Sequence, residues 1–242
     1  MHPPITTWPL LAAVSLALAS TAAEAAACRA EAGAAAPLVV ELYTSEGCSS
    51  CPPADRWLSG LKGQPGVLAL AFHVDYWDRL GWPDRFASRA ATERQYRLAE
   101  VSRSAQVYTP QVVVDGADWR RWPDLPARGQ ASPVKLTLER EGQQVTARVA
   151  ALEGDGRRLG GYWAVVEDGH ASRVTGGENR GETLRHDHVV RHYEPVADWR
   201  AAEARQWVLP VLPGVPEHPR RVVFVVTDAT TLRPLQALAL SC

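Results

Sequence analysis

The chain lacks most of the features that announce a function. Its 26 basic and 27 acidic residues leave a formal charge of −1, so no positive excess points to a nucleic-acid partner. It has no apolar run long enough to span a bilayer. There are only four cysteines and no second C-x-x-C, which leaves a zinc site of paired cysteines without half its ligands. No internal repeat or low-complexity tract follows the N-terminal segment, so a solenoid is excluded. What the chain does have is 46% hydrophobic residues over 242 positions and nine tryptophans, enough for one large or two modest packed domains.

The N-terminus reads as a secretory signal. Residues 10–19, LLAAVSLALA, are too short to cross a membrane, and the small residues after them fit an A-x-A cleavage site near 25–27. The leading MHPPITTWP has no Lys or Arg, so the usual positive start is missing. On this reading residues 1–25 are removed and the protein is exported, periplasmic or secreted. Cys28 sits just after the small residues, where a lipoprotein would carry its lipid. The alternative pairs it with Cys242: in an oxidising compartment four cysteines divide into one local and one end-to-end disulfide, and parity favours that reading.

Residues 38–43, LVVELY, form a short apolar run suited to a buried strand. A helix is expected over 51–61, with Pro52 in its first turn and Trp57, Leu58 and Leu61 on one face; Gly63 and Gly66 end it. Residues 67–74 are again almost wholly apolar, which makes a βαβ unit with parallel strands. Helical pattern runs over 84–106 in two pieces, and 111–114 is a strand entered from Pro110 and left through Asp115-Gly116. After Trp122 the pattern turns strand-like, with runs at 135–139, 145–151, 162–167, 189–193, 222–227 and 235–240. The expected fold class is α/β: a thioredoxin-like domain over 36–131, then a mostly-β, sandwich-like domain over 132–242.

Cys48-Ser49-Ser50-Cys51 beside a βαβ pattern is the arrangement of a thioredoxin-like redox pair. A strand runs into the turn, so Cys48 is expected at a helix N-terminus with its sulfur exposed. The free N–H groups and helix dipole there favour the thiolate. Cys51, further in, is shielded. Cys48 then attacks and Cys51 resolves. A purely structural staple is weaker, because so small a loop adds little stability.

Thr109-Pro110 enters the strand after the helices. In a thioredoxin-like fold this proline is cis and faces the cysteines; there Pro110 limits access to Cys48, and the Thr109 backbone pairs with an extended substrate. His73, at the end of the second parallel strand, emerges on the same sheet edge as Cys48. It reads equally as a proton shuttle, as a third ligand with Cys48 and Cys51 for copper, or as a packed strand-end histidine. Asp75 and Asp78 read as turn and cap residues.

The stretch from Val40 to Asp55, VELYTSEGCSSCPPAD, together with HVDYWDRLGWPD, VYTPQVVVDG, GENRG and HDHVVR, resembles the secreted bacterial family termed domain of unknown function 1223. The resemblance spans most of the mature chain, roughly Leu38 to the C-terminus. It implies a thioredoxin-like N-terminal domain with an appended β domain and assigns no reaction. The sequence departs from ordinary thioredoxins at Gly47, at Ser49-Ser50 and at Leu42, where many of them bury an acid. Glu41, one residue away on a strand, points to the other face.

Two polar loops stand apart. Gly176 to Gly181, GGENRG, and His186-Asp187-His188 read as a solvated loop and strand-start histidines, with a lid over the first domain or a pair of metal ligands as the alternatives. The functional expectation is an exported thiol–disulfide protein acting on disulfide or thiol proteins, of unknown direction and oligomeric state and with no cofactor. A copper-binding module using Cys48, Cys51 and His73, or a binding module with a vestigial site, is the rival.

Overall fold

A computed structural model describes residues 28–127, 130–152, 154–211 and 214–242. The expected signal segment 1–25 and its cleavage region lie outside the described residues.

The chain opens with β1 (Cys28–Glu31). Then β2 (Leu38–Thr44), α1 (Pro52–Ser59) and β3 (Val67–His73) form one crossover unit. A 3-10 turn (Asp75–Leu80) and α2 (Arg89–Val101) lead to β4 (Gln111–Val114) and β5 (Ala117–Asp118). Strands follow to the end: β6 (Leu136–Glu141), β7 (Gln144–Val149), β8 (Arg158–Glu167), β9 (His170–Arg173) and β10 (Thr183–His186). The last four are β11 (Val189–Arg200), β12 (Arg205–Pro210), β13 (Arg220–Asp228) and β14 (Pro234–Leu240).

Local chemistry accounts for the crossover unit. Every residue of β2 is buried, as a strand covered on both faces requires. Pro52 and Pro53 fill the first turn of α1, where their missing N–H groups cost nothing. Ser88 caps α2, its Oγ accepting from the Ala91 N–H at 3.1 Å. β2 and β3 are parallel, from Leu38 beside Val67 to Thr44 beside His73.

The expected α/β fold class is overturned. The described residues are 44% strand and 13% helix, with three helices and no thioredoxin-like arrangement among them. One eight-stranded sheet runs β14-β13-β8-β11-β3-β2-β4-β5, so strands from both halves of the chain share it. The seam is β3 against β11, where Ala71 pairs with Val189 and its N–H donates to the His188 carbonyl at 2.7 Å. Of the strands expected in a separate sandwich, β8, β11, β13 and β14 thus extend the first sheet. A second sheet, β1-β6-β7-β12, packs beside it. The apolar runs that suggested parallel strands fit any strand covered on both faces, so periodicity did not distinguish the two cases.

Side-chain alternation sorts the two faces. Val39, Tyr43, Leu70, Phe72, Tyr162 and Val225 share one core cluster with Ala91 and Leu98 of α2. On the opposite face Val40, Leu42, Ala69 and Ala71 pack with Leu58 of α1. Trp163, Val165, Phe224 and Val226 meet the four-stranded sheet through Leu138 and Ala147. Thr44 and His73 therefore fall on the α1 face. The ribbon β9–β10 lies against α1 on that side. Cys28 and Cys242 are disulfide-bonded, as cysteine parity predicted. No helix among the described residues is long and apolar enough to cross a membrane.

Candidate functional site

Cys48 and Cys51 are joined by a disulfide at the start of α1, with Cys51 as its N-cap. The Cys51 N–H donates to the Cys48 carbonyl, and the Cys51 carbonyl accepts from Ala54 and Asp55 at 2.9 and 3.2 Å. The expectation of an exposed Cys48 is corrected: both cysteines have 0% exposure, and only Ser49 and Ser50 between them face solvent.

The cover comes from far along the chain. Asn179 is buried, and its Nδ2 donates to the carbonyls of Glu46 and Cys48 at 2.8 and 2.9 Å. The Ser49 N–H donates to Glu178 Oε2 at 3.0 Å. This is the GGENRG loop, so the solvated-loop reading is corrected as well. Gly176 is what lets the loop close down: a Cβ there would sit 2.4 Å from the Gly81 carbonyl oxygen. Gly177 has φ +66 beside Trp82. A reagent reaches the sulfurs only when this cover opens, so exchange should follow the opening equilibrium. Losing two hydrogen bonds to buried carbonyls weakens the cover by about 1–3 kcal/mol. Asn179→Ala should therefore speed reduction of Cys48–Cys51 by about fivefold or more. Timed alkylation with mass spectrometry reads this directly; a rate equal to the parent's would show that Asn179 does not hold the cover.

Thr109–Pro110 is cis and half-buried. Pro110 precedes Gln111, which pairs with Tyr43 on β2. Thr109 Oγ1 accepts from Trp77 Nε1 at 2.8 Å, and Trp77 Cβ lies 3.1 Å from where a Gly47 Cβ would stand. Thr109 thus reaches the cysteine turn through Trp77.

Beneath the disulfide lies a buried cluster that the sequence reading saw only in part. Asp55, one turn beyond Cys51, is held by the Thr44 hydroxyl at 3.0 Å. His73 has 1% exposure, and its Nδ1 meets Asp84 Oδ2 at 2.6 Å. His186 Nε2 meets Glu46 Oε1 at 3.2 Å, and Trp82 Nε1 donates to Glu46 Oε2 at 2.8 Å. The two imidazoles stand edge to face, centroids 4.9 Å apart, with Phe86 against both.

Burial and pairing pull the cluster's acids in different directions. Burial raises the Asp84 carboxyl, but the charge and hydrogen bond of His73 and the N–H groups of Glu46 and Phe86 outweigh it, bringing it to about 2. Burial lowers His73, and Asp84 outweighs that, leaving it above its usual value. Asp55 is pushed up, chiefly by burial. Glu46 ends below its usual range because the hydrogen bonds from His186 and Trp82 exceed its desolvation.

His186 and His188 part company. His188 takes a left-handed conformation, φ 59, after β10. Its Nδ1 accepts from Arg221 at 2.9 Å, and burial and then the Arg221 charge push it down to about 4. Asp187 pairs with Lys62 and accepts from the Gly169 N–H. Only His186 of the three joins the cluster. Asp55, Glu46 and Asp84 are not singled out by the sequence, where neighbours such as Ser45, Gly47, Arg56 and Arg85 give no sign of burial.

A family model described as "Protein of unknown function (DUF1223)" matches residues 39–227. The chain belongs to this family. No curated protein matches it. Among solved structures it is similar to AGR_C_4864 from Agrobacterium tumefaciens, at 27% identity and TM-score 0.64, covering 87% of this chain and 96% of that one. It is also similar in fold to HBP35 of Porphyromonas gingivalis, at 13% identity and TM-score 0.51, covering 87% and 76% of the two chains. The family description assigns no reaction.

Proposed function

We propose that this member of the family is an exported thiol–disulfide exchange protein whose working pair is Cys48 and Cys51. The observation that supports this best is a local disulfide at the start of a helix, with a polar loop hydrogen-bonded to the turn that carries it. A staple closing so small a loop adds little to stability, so stability alone gives weak reason for it.

In the oxidising direction a partner thiolate attacks Cys48 Sγ. The Cys48–Cys51 bond breaks, and Cys51 leaves as a thiolate at the positive end of the α1 dipole. A second partner thiolate then attacks the partner's own sulfur in the mixed disulfide and releases Cys48 as a thiolate. The partner dithiol has become a disulfide and the protein a dithiol, with two electrons transferred; reduction runs the same steps in reverse. The cover must open first, which makes access part of the specificity.

Cys51→Ser lacks the resolving thiol and tests the roles. Incubated folded with oxidised glutathione, it should gain one glutathionyl group, mapped to Cys48. No adduct on the folded variant, while the unfolded chain reacts, would defeat the reading. Faster labelling of Cys51 in Cys48→Ser would reverse the two roles.

A further inference from the structure

We propose that Asp55, His73 and His186 form a binding site for one divalent transition-metal ion of the zinc type, separate from the thiol pair. Their ligand atoms all lie within 4.8 Å of one another, and all three residues are buried. Cys48 and Cys51 do not belong to this group, since their sulfurs are bonded to each other.

Tautomer logic carries the assignment. Asp84 receives the Nδ1–H of His73, and Glu46 receives the Nε2–H of His186, each an outer carboxylate of the kind that orients metal-bound imidazoles. That leaves His73 Nε2 and His186 Nδ1 as inward lone pairs, and neither has a hydrogen-bond partner. His186 Nδ1 is 3.9 Å from Asp55 Oδ1, beyond hydrogen-bonding distance. Two buried imidazole nitrogens without partners thus stand beside a buried carboxylate. Acceptors gathered at one buried place repel one another unless a cation sits between them.

The charge count points the same way. Glu46, Asp55 and Asp84 are all buried, and their ion-pair partners are the two imidazoles. Three buried carboxylates thus outnumber the two imidazoles that face them. Two nitrogens and one oxygen suit a borderline ion such as zinc. Bonds of about 2.0–2.1 Å in a tetrahedron set ligands about 3.4 Å apart, so small side-chain rotations close the site. A cleft of about 130 Å³ between α1 and β10, lined by Pro52, Asp55, Arg56, Leu184 and His186, offers the ion a way in.

The test uses the untagged mature chain, stripped by chelator and fully oxidised so that no thiolate is present. Zinc titration against a competing chromophore should give one ion per chain. X-ray absorption of the zinc complex should show imidazole scattering, oxygen and no sulfur. His186→Ala and Asp55→Ala should each weaken binding by about tenfold or more, while His192→Ala, at an exposed position, leaves it unchanged. If His186→Ala does not fold, the parent's absorption spectrum decides alone. No stoichiometric zinc on the oxidised parent, sulfur in the shell, or parent-like affinity in a folded His186→Ala would overturn the site.

Discussion

Arg94→Met should lower stability by roughly 3–5 kcal/mol, because it strips the partner from a buried carboxylate. Arg94 on α2 forms a buried ion pair with Glu41 on β2, and its Nε donates to Glu41 Oε2 at 3.2 Å. The same carboxylate accepts from the Tyr43 and Tyr162 hydroxyls at 2.8 and 2.7 Å. The guanidinium also lies over the Tyr162 ring, 4.1 Å from its centroid. This network couples the helix to both halves of the eight-stranded sheet. Removing the cation leaves the charge desolvated with only two hydroxyl donors. Urea unfolding followed by tryptophan fluorescence measures the loss. Glu41→Gln combined with Arg94→Met should recover most of it, since neither partner is then a stranded charge. A single-variant loss under about 1 kcal/mol would mean that Glu41 finds other solvation.

Replacing Cys28 and Cys242 together by serine should cost about 5 kcal/mol on the chain-entropy estimate. The disulfide spans 214 positions, so reducing it frees a very long loop in the unfolded chain. For a chain of this size the melting temperature should fall by on the order of 10 °C. Reducing only Cys48–Cys51, with a sequence separation of 3, should change it far less. Calorimetry on the two forms separates a staple from a working pair. Equal losses for both bonds would contradict that division.

Local pattern made the crossover unit legible. The unbroken apolar run of β2 and the proline-started α1 stood where the residues put them, and alternation sent Glu41 to the face away from the cysteines. The fold class was not legible, because it depends on which strand borders β3. That partner is β11, joined by a parallel pairing whose residues stand far apart in sequence. Periodicity reports how buried a strand is, not what covers it. The helix pattern over 84–106 shrank to α2, with Ser88 setting its start.

At the site, C-x-x-C located the disulfide but misjudged its exposure. The burying group, Asn179, lies 131 positions from Cys48 and acts through its side-chain amide on backbone carbonyls, which leaves no mark on the local pattern. The double glycine at Gly176-Gly177 was the visible trace of that close approach. His73 was nominated by topology and does sit on the α1 face. Its partners Asp84 and His186 come from a loop and from β10, so only the folded chain brings the cluster together.

The most direct measurement is the reduction potential of Cys48–Cys51. The folded protein is equilibrated in graded thiol–disulfide buffers, and each cysteine's state is read by alkylation and mass spectrometry. A working pair should titrate reversibly as a two-electron couple between about −270 and −120 mV, with Cys28–Cys242 still closed. A Cys48–Cys51 bond that stays oxidised below about −300 mV, as structural disulfides do, would contradict the exchange function.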